Sequence, residues 1–177
     1  MVSIREATAQ DKSAVLDLYR EVARISQGIA RTEAELTDQY IDDLFLAVQK
    51  QGLMLIAIDS DDRLVAEIHA SSYGIRIFDH ILTALTIAVH PDYQGRGVGK
   101  KLFQTFLEKV QRTFPKIVRI ELESRASNHK SIGLYRSLGF VEEGRMKNKT
   151  RNIDGSFEDS LLMAWTKPGF SFNHSYD

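Results

Sequence analysis

Six residues near the middle of the chain, Gln94-Gly95-Arg96-Gly97-Val98-Gly99, constrain its fold more than any other stretch. Ahead of them Leu82 to Val89 is apolar and rich in β-branched residues, which reads as a strand. Behind them Val98, Leu102, Phe106 and Val110 recur at helical spacing, and Pro115 ends the pattern. The glycines therefore sit in a strand-to-helix turn. Glycine allows positive φ and close approach of a backbone to a ligand. The free N–H groups of a helix start attract anions, phosphates above all. The segment should cradle a phosphate or pyrophosphate, with Arg96, Lys100 and Lys101 adding charge. A tight turn without a ligand is the plain alternative. Glycines at 95, 97 and 99 do not fit the G-x-G-x-x-G dinucleotide fingerprint, and no G-x-x-x-x-G-K-[ST] phosphate loop is present.

The rest of the chain alternates in the same manner. Val2 to Glu6 is β-like, and Thr8 with Asp11 starts a helix carrying Val15, Leu18, Tyr19, Val22 and Ile25. Ser26-Gln27-Gly28 breaks it. A second helix is expected from Thr32, where Glu35 completes a capping box, with Leu36, Tyr40, Leu44 and Val48 as its buried stripe. Leu53 to Ile58 and Leu64 to Ala70 read as strands around a turn at Asp59 to Asp62. A loop with exposed aromatics follows over 72–81. After the glycine turn come a strand from Ile117 to Glu123 and a helix from Asn128 to Leu138 closed by Gly139. Two last strands, about Phe140 to Arg151 and Phe157 to Thr166, meet near Asp154-Gly155. The order is β-α-α-β-β-β-α-β-α-β-β, an α/β fold with a mixed β-sheet and helices on both faces. We expect one domain over 1–167 and a loose tail over 168–177, where Phe170 and Phe172 could dock.

Composition limits the chemistry. Lys plus Arg number 23 and Asp plus Glu 24, a formal net charge of -1 that offers no global field for nucleic acid or an anionic membrane. There is no cysteine, so disulfides, thiolate metal sites and a cysteine acyl-enzyme are excluded. The five histidines show no metal-ligand spacing, so no metal is expected. No G-x-S-x-G elbow points to a serine hydrolase. The run Met1 to Glu6 is charged too early for a secretory leader, and the longest apolar run, Leu53 to Ile58, is too short to span a bilayer. The expectation is a cytoplasmic protein without a membrane or nucleic-acid partner.

Two segments together carry a family resemblance. Gln94 to Gly99 fits [QR]-x-x-G-x-[GA], the signature of the Gcn5-related N-acetyltransferase (GNAT) superfamily, and Leu85-Thr86-Ile87-Ala88-Val89-His90-Pro91 resembles the strand and turn before it. Downstream, Asn128 to Phe140 resembles the second motif, N-x-x-[AS]-x-x-x-Y-x-x-x-G-F. Order and spacing agree, and the strand and helix order agrees across nearly the whole chain.

The resemblance implies acetyl-CoA as co-substrate, without a metal. Its pantetheine arm would lie between two splayed parallel strands, bonded by the backbone of Ile87, Ala88 and Val89. The turn, Gln94 with the amides of Gly95, Arg96, Gly97, Val98, Gly99 and Lys100, would receive the pyrophosphate, and Asn128 would flank the pantetheine. Transfer to nitrogen needs a neutral amine, and at pKa ≈ 10.4 on the order of one lysine-type amine in a few thousand is neutral at pH 7. A base is therefore needed. Tyr135 matches the family's general acid, and its plain alternative is an aromatic packed with Ile132 and Leu138. Many relatives carry a glutamate on the strand before the glycine turn, but Leu82 to Ile87 holds no acid. Leu122-Glu123-Ser124-Arg125-Ala126-Ser127-Asn128 resembles the L-E-V-R-x-x-N stretch of ribosomal-protein alanine acetyltransferases, which makes Glu123 the candidate base. Glu67 is the second candidate, and Glu121 reads as a structural partner. Val89 N–H is the implied oxyanion donor. Arg31, in the loop where relatives often build the acceptor wall, is a candidate substrate contact. Arg145, Lys147, Lys149 and Arg151 alternate on a strand face that reads as solvated and paired with Glu158 and Asp159, with an anion-binding site for substrate as the alternative. The family also commonly dimerises, so a homodimer stays open. A non-catalytic acyl-CoA-binding sensor is the alternative function, since it would share the turn but not need Tyr135 or a base.

Overall fold

A computed structural model of the chain describes residues 2–25, 29–152 and 154–172. The predicted helix break at Ser26 to Gly28 and the end of the tail, from 173 on, lie outside them. Strands β1 (Ser3–Glu6), β2 (Gly52–Ile58), β3 (Leu64–Ser71), β4 (Ile81–Val89), β5 (Arg119–Arg125), β6 (Val141–Arg151) and β7 (Phe157–Thr166) form one sheet in the order β1-β2-β3-β4-β5-β7-β6. Helices α1 (Lys12–Ala23) and α2 (Asp38–Gln51) lie on one face, and α3 (Val98–Thr113) and α4 (His129–Ser137) on the other. β4 and β5 are parallel, while every other pair is antiparallel. The crossover α3 makes this parallel pair possible. No helix among the described residues is long and apolar enough to cross a membrane.

Period decides burial. In α3 the predicted stripe Val98, Leu102, Phe106 and Val110 is buried, widened by Phe103 and Leu107. These pack on the side chains that β2, β3, β4 and β5 turn toward α3. The opposite face of β2 to β4 buries Ile56, Leu64 and Ala88 beneath Val15, Leu18, Tyr19 and Val22 of α1. Helix α2 starts later than its pattern predicts. The capping box of Thr32 and Glu35 exists, but it closes only a 3-10 turn, and a second cap, Thr37 Oγ1 accepting from Tyr40 N–H, opens α2 at Asp38. Its buried residue is Ile41, which the predicted stripe leaves out, while Tyr40, Leu44 and Val48 are half-buried. Phe170 and Phe172 stack on each other, 5.0 Å between centroids, and stay exposed.

Strand β4 carries one residue too many. His69 pairs with Thr86 and Ser71 with Thr83, so the single Ala70 faces both Ala84 and Leu85. The extra residue is absorbed at Ala84, held at φ 53. Such a bulge bends its strand and increases the local twist. Beyond it β4 leaves β5.

The β6–β7 hairpin carries a second irregularity. Met146 pairs with Ser160 and Thr150 with Glu158, so three residues of β6 stand against Asp159 alone. This breaks the predicted alternation of basic residues. Asp159 fills the loop: its Oδ1 accepts from Asn148 N–H at 3.0 Å, and its Oδ2 from Lys147 Nζ and Arg145 Nη1 at 2.9 and 3.2 Å. These donors, Lys147 first, hold its pKa down to about 2. Glu158 turns instead to Ser127, whose Oγ it accepts at 2.6 Å.

Two outcomes are expected. An L-residue at positive φ costs roughly 1–2 kcal/mol, and β-branching makes it worse. Ala84→Val should therefore lower Tm by several degrees while Ala84→Gly does not. Equal Tm values for the two would mean that position 84 is not held at positive φ. Asp159 has a depressed folded pKa, so its stabilising effect is complete above the unfolded carboxylate range near 4 and is lost as pH falls toward about 2. Acid titration followed by circular dichroism should show a smaller stability loss between those limits for Asp159→Asn than for the parent. Parallel curves would contradict that role.

Candidate active site

The sheet opens where the bulge sends β4. Strands β4 and β5 pair only at Ile81 with Arg119 and Leu82 with Ile120. From there β4 runs on to Val89 and β5 to Arg125 without pairing, and a wedge lies between them. His90 N–H is bonded to Val65 O at 2.9 Å. Alternation along the strand then turns the N–H groups of Ile87 and Val89 away from β3 and into the wedge. Gln94 Nε2 enters from the same side and donates to Val89 O at 3.0 Å. Backbone donors thus line one wall of an open slot between two strands, a shape that an extended amide-bearing chain can fill by strand-like bonding.

The glycine turn caps this slot. Gly95 and Gly97 have φ 75 and 81, and a Cβ at either would meet nothing within 4 Å. These glycines serve backbone conformation and open space, not internal packing. Gly99 differs: its Cβ would come 3.2 Å from Val89 Cγ2, so it lets α3 start against β4. Lys101 N–H reaches back to Gly97 O at 3.0 Å. The amides of Val98, Gly99 and Lys100 are those a helix start leaves without an intrahelical carbonyl, at the positive end of the α3 dipole. Arg96 lies over the Tyr93 ring, 5.6 Å from its centroid, on the exposed rim. Five side chains hold the base of this turn. His90 Nδ1 accepts from Asp92 N–H, His90 Nε2 faces Glu21 at 2.5 Å, Arg63 Nη2 donates to the same Glu21 oxygen at 3.3 Å, and Tyr93 Oη donates to Asp59 Oδ2 at 2.5 Å.

The wedge joins the two faces of the sheet, and the candidate side chains fall on opposite sides of it. Tyr135 is on the α3 and α4 face. It is 9% exposed and stacks with Phe103 and Phe140, 5.8 and 6.1 Å between centroids. Burial raises its phenol pKa, partly offset by a hydrogen bond with Ser131, so it stays a proton donor at neutral pH. Asn128 Oδ1 accepts from Ser131 N–H at 3.2 Å and caps α4, which leaves its amide NH2 as the group able to meet a ligand.

The carboxylates are on the other face. Ile120 and Leu122 point into the α3 core, so Glu121 and Glu123 point away from it. Glu123 is exposed at the open part of β5, with Lys149 Nζ 3.8 Å from its Oε2. Glu121 is tied up, as its spacing suggested: it accepts from Arg119 Nε and Tyr73 Oη, both at 2.7 Å. Arg119 also forks onto Glu143. Tyr73 brings the 72–80 loop over β5 and stacks on Phe78. Glu67 is fully buried, and both its oxygens are taken, by Tyr19 Oη at 2.5 Å and His69 Nδ1 at 3.0 Å. Arg31 lies with its guanidinium 4.7 Å from the Tyr40 ring centroid, at the α2 edge of this face. The structure thus brings Glu123, Glu67 and Arg31 to one face and Tyr135 to the other, with the wedge between. Sequence reasoning missed Tyr19, His69 and Tyr73. The i, i+2 spacing of Glu67 and His69 puts them on one face, but their α1 partner is 48 residues away from Glu67 and left no local signal.

A concavity of about 760 Å³ lies elsewhere, lined by Glu6, Thr8, Lys12, Phe45 and Phe114. Its charges pair off, Lys12 with Asp42 and Lys109 with Glu6, and it gathers no reactive group.

Comparison with known proteins agrees with this geometry. The model of the acetyltransferase (GNAT) family matches residues 14–140. The [ribosomal protein bS18]-alanine N-acetyltransferase of Escherichia coli (strain K12) is 39% identical over 82 residues, 46% of this chain, and the match spans about half of that relative, 53%. The L-amino acid N-acyltransferase MnaT of the same organism is 28% identical over 147 residues, 82% of this chain and 83% of the relative. In fold, the structure of yncA, a putative acetyltransferase from Salmonella typhimurium with its cofactor acetyl-CoA, superposes with TM-score 0.84 at 19% identity, covering 99% of both chains. With the family model matched over most of its length, around a glycine turn that caps a split β4–β5 pair, the chain belongs to the acetyltransferase (GNAT) family.

Proposed function

We propose that the chain, through an N-acetyltransferase domain over residues 1–167, moves an acetyl group from acetyl-CoA directly to a primary amine. The observation that carries this reading is the wedge: the outward N–H groups of Ile87 and Val89 meet the turn amides at its end. The residues fit the co-substrate. A diphosphate suits the amides of Gly95 to Lys100 and the α3 dipole, with no metal needed. A pantetheine arm suits the backbone of Ile87, Ala88 and Val89, with the Asn128 amide on its flank. The thioester supplies an acetyl group already activated for transfer.

The protein's own groups then divide the work. The N–H of Val89 polarises the carbonyl as it turns tetrahedral. Tyr135, protonated and on the α3 side, donates to the departing sulfur. Glu123, exposed on the opposite face, is the candidate base for the incoming ammonium and the carboxylate that first meets it. Arg31 at the far wall suits an acceptor that carries a carboxylate or a carbonyl. The relatives' names give acceptors of related chemistry, an amino acid and an alanine of a ribosomal protein. Both have an amine on an α-carbon, and such amines are the acceptors to try first.

Thiol release from acetyl-CoA should depend on one acceptor from a panel of amino acids, peptides with free N-termini, polyamines and aminoglycosides. Tyr135→Phe should then lower kcat by about 10²-fold with acetyl-CoA affinity changed less than about twofold. A full rate in that variant would take the acid role from Tyr135. Acetyl-CoA binding without release for any acceptor would favour an acyl-CoA sensor instead.

A further inference from the structure

The proposed transfer leaves one buried cluster unused. Between α1 and the face of β3 that carries no α3 contacts, Tyr19, Glu67 and His69 bond to one another. Tyr19 and Glu67 are wholly buried and His69 is 4% exposed. Three polar groups in a core are costly unless each is satisfied, and here the pattern of satisfaction has a direction. Tyr19 Oη donates to Glu67 Oε2 at 2.5 Å. Burial and the neighbouring Glu67 raise the Tyr19 pKa well above its ordinary value, so it keeps its proton and gives it to Glu67 as a hydrogen bond. The other carboxylate oxygen, Oε1, is 3.0 Å from His69 Nδ1 and accepts a hydrogen bond from its N–H. That bond fixes the tautomer, since an imidazole with Nδ1–H carries its lone pair on Nε2.

Nε2 is open. The contacts of His69 run through Nδ1, and among the described residues no buried side-chain nitrogen or oxygen lacks a partner. An Nε2 without a protein partner therefore touches solvent. Its place is telling. His69 pairs with Thr86, next to the Ala84 bulge where β4 departs from β5. It is one strand, about 4.8 Å, inside the wedge edge and on the Glu123 face.

We infer that His69 Nε2 is the group that takes the proton of the acceptor ammonium, directly or through one water, with Glu67 and Tyr19 as positioning residues. This rests on the acetyl-transfer reading above, and it narrows the part of Glu123 to drawing in the ammonium at the mouth. In the step, the N–H bond of the ammonium breaks and its proton passes to Nε2. The freed lone pair forms the C–N bond, the C–S bond breaks, and Tyr135 protonates the sulfur. The second nitrogen proton returns through solvent to Tyr135, and the imidazolium, held by Glu67, gives its own to water. Imidazole suits this work, because one nitrogen can take a proton while the other stays bonded to Glu67. The titratable groups bonded to His69 are Tyr19 of α1 and Glu67 of β3, and Tyr40 of α2 and Arg31 act in turn on Tyr19.

The test uses the full chain with the acceptor found by thiol release. His69→Gln keeps an amide able to bond Glu67, and His69→Ala opens a hole for added imidazole. We expect both to bind acetyl-CoA as the parent does, to lose about 10²-fold in kcat, and to lose the rise of kcat with pH near neutrality. Imidazole should restore His69→Ala by at least about tenfold, more for substituted imidazoles of higher pKa. Glu67→Gln should move the midpoint of the kcat profile to lower pH, because the imidazolium loses its carboxylate. Parental kcat in the His69 variants overturns the proposal. So does a loss that imidazole does not repair and that leaves the pH profile in place, since that pattern marks a merely structural network. A parent inactive with every acceptor would instead remove the transfer reading on which the proposal stands.

Discussion

One residue, Ala84, sits at positive φ inside a strand of the sheet's centre, and the geometry of the site depends on it. Strand β4 must fit β3 on one side and β5 on the other. It pairs with β5 only at Ile81 and Leu82, and from Thr83 to Val89, across the extra residue, it pairs with β3 alone. Past that point the parallel pair separates, and the backbone groups of β4 that would have met β5 are left facing a slot. Closing the sheet there would satisfy them and abolish the site. The flanking layers hold the opening apart instead: α3 packs on one face through Val98, Phe103 and Phe106, and α1 on the other through Val15, Tyr19 and Val22.

The split also separates charge. Phosphate-seeking amides and the phenol of Tyr135 lie toward the α3 and α4 side, and the carboxylates lie on the α1 and α2 side. An anionic donor and a cationic acceptor can thus approach from opposite faces and meet only in the wedge. Salt bridges at the periphery, such as Arg119 with Glu121 and Glu143, fasten the 72–80 loop and β6 around the face that carries Glu121 and Glu123. Pairs that stay partly in solvent contribute little stability singly. Their part here is to hold position.

Much of this was legible in the residues. The order of strands and helices followed from period and turn chemistry, and the glycine turn followed from its place between a β run and a helical run. The second motif was readable because Asn128 caps the short helix that carries Tyr135. What could not be read shares one physical cause, dependence on distant partners. Whether Thr32 or Thr37 opens α2 turns on which cap packs Ile41 beneath α1. The bulges at Ala84 and around Asn148 arise from register against neighbouring strands and carry no local glycine to announce them. Glu67 looked like an available carboxylate, and only the fold shows that Tyr19 and His69 occupy it. Asp159 looked like a surface charge, and only the β6 register makes it the plug of a three-residue loop.

Hydrogen exchange on the protein with and without acetyl-CoA tests the central claim most directly. If the wedge and turn hold the co-substrate, protection should rise at the amides of Ile87 and Val89 and across Gly95 to Lys100, with little change in β1 or β2. Binding that leaves those amides unprotected, or protects a different surface, would contradict it.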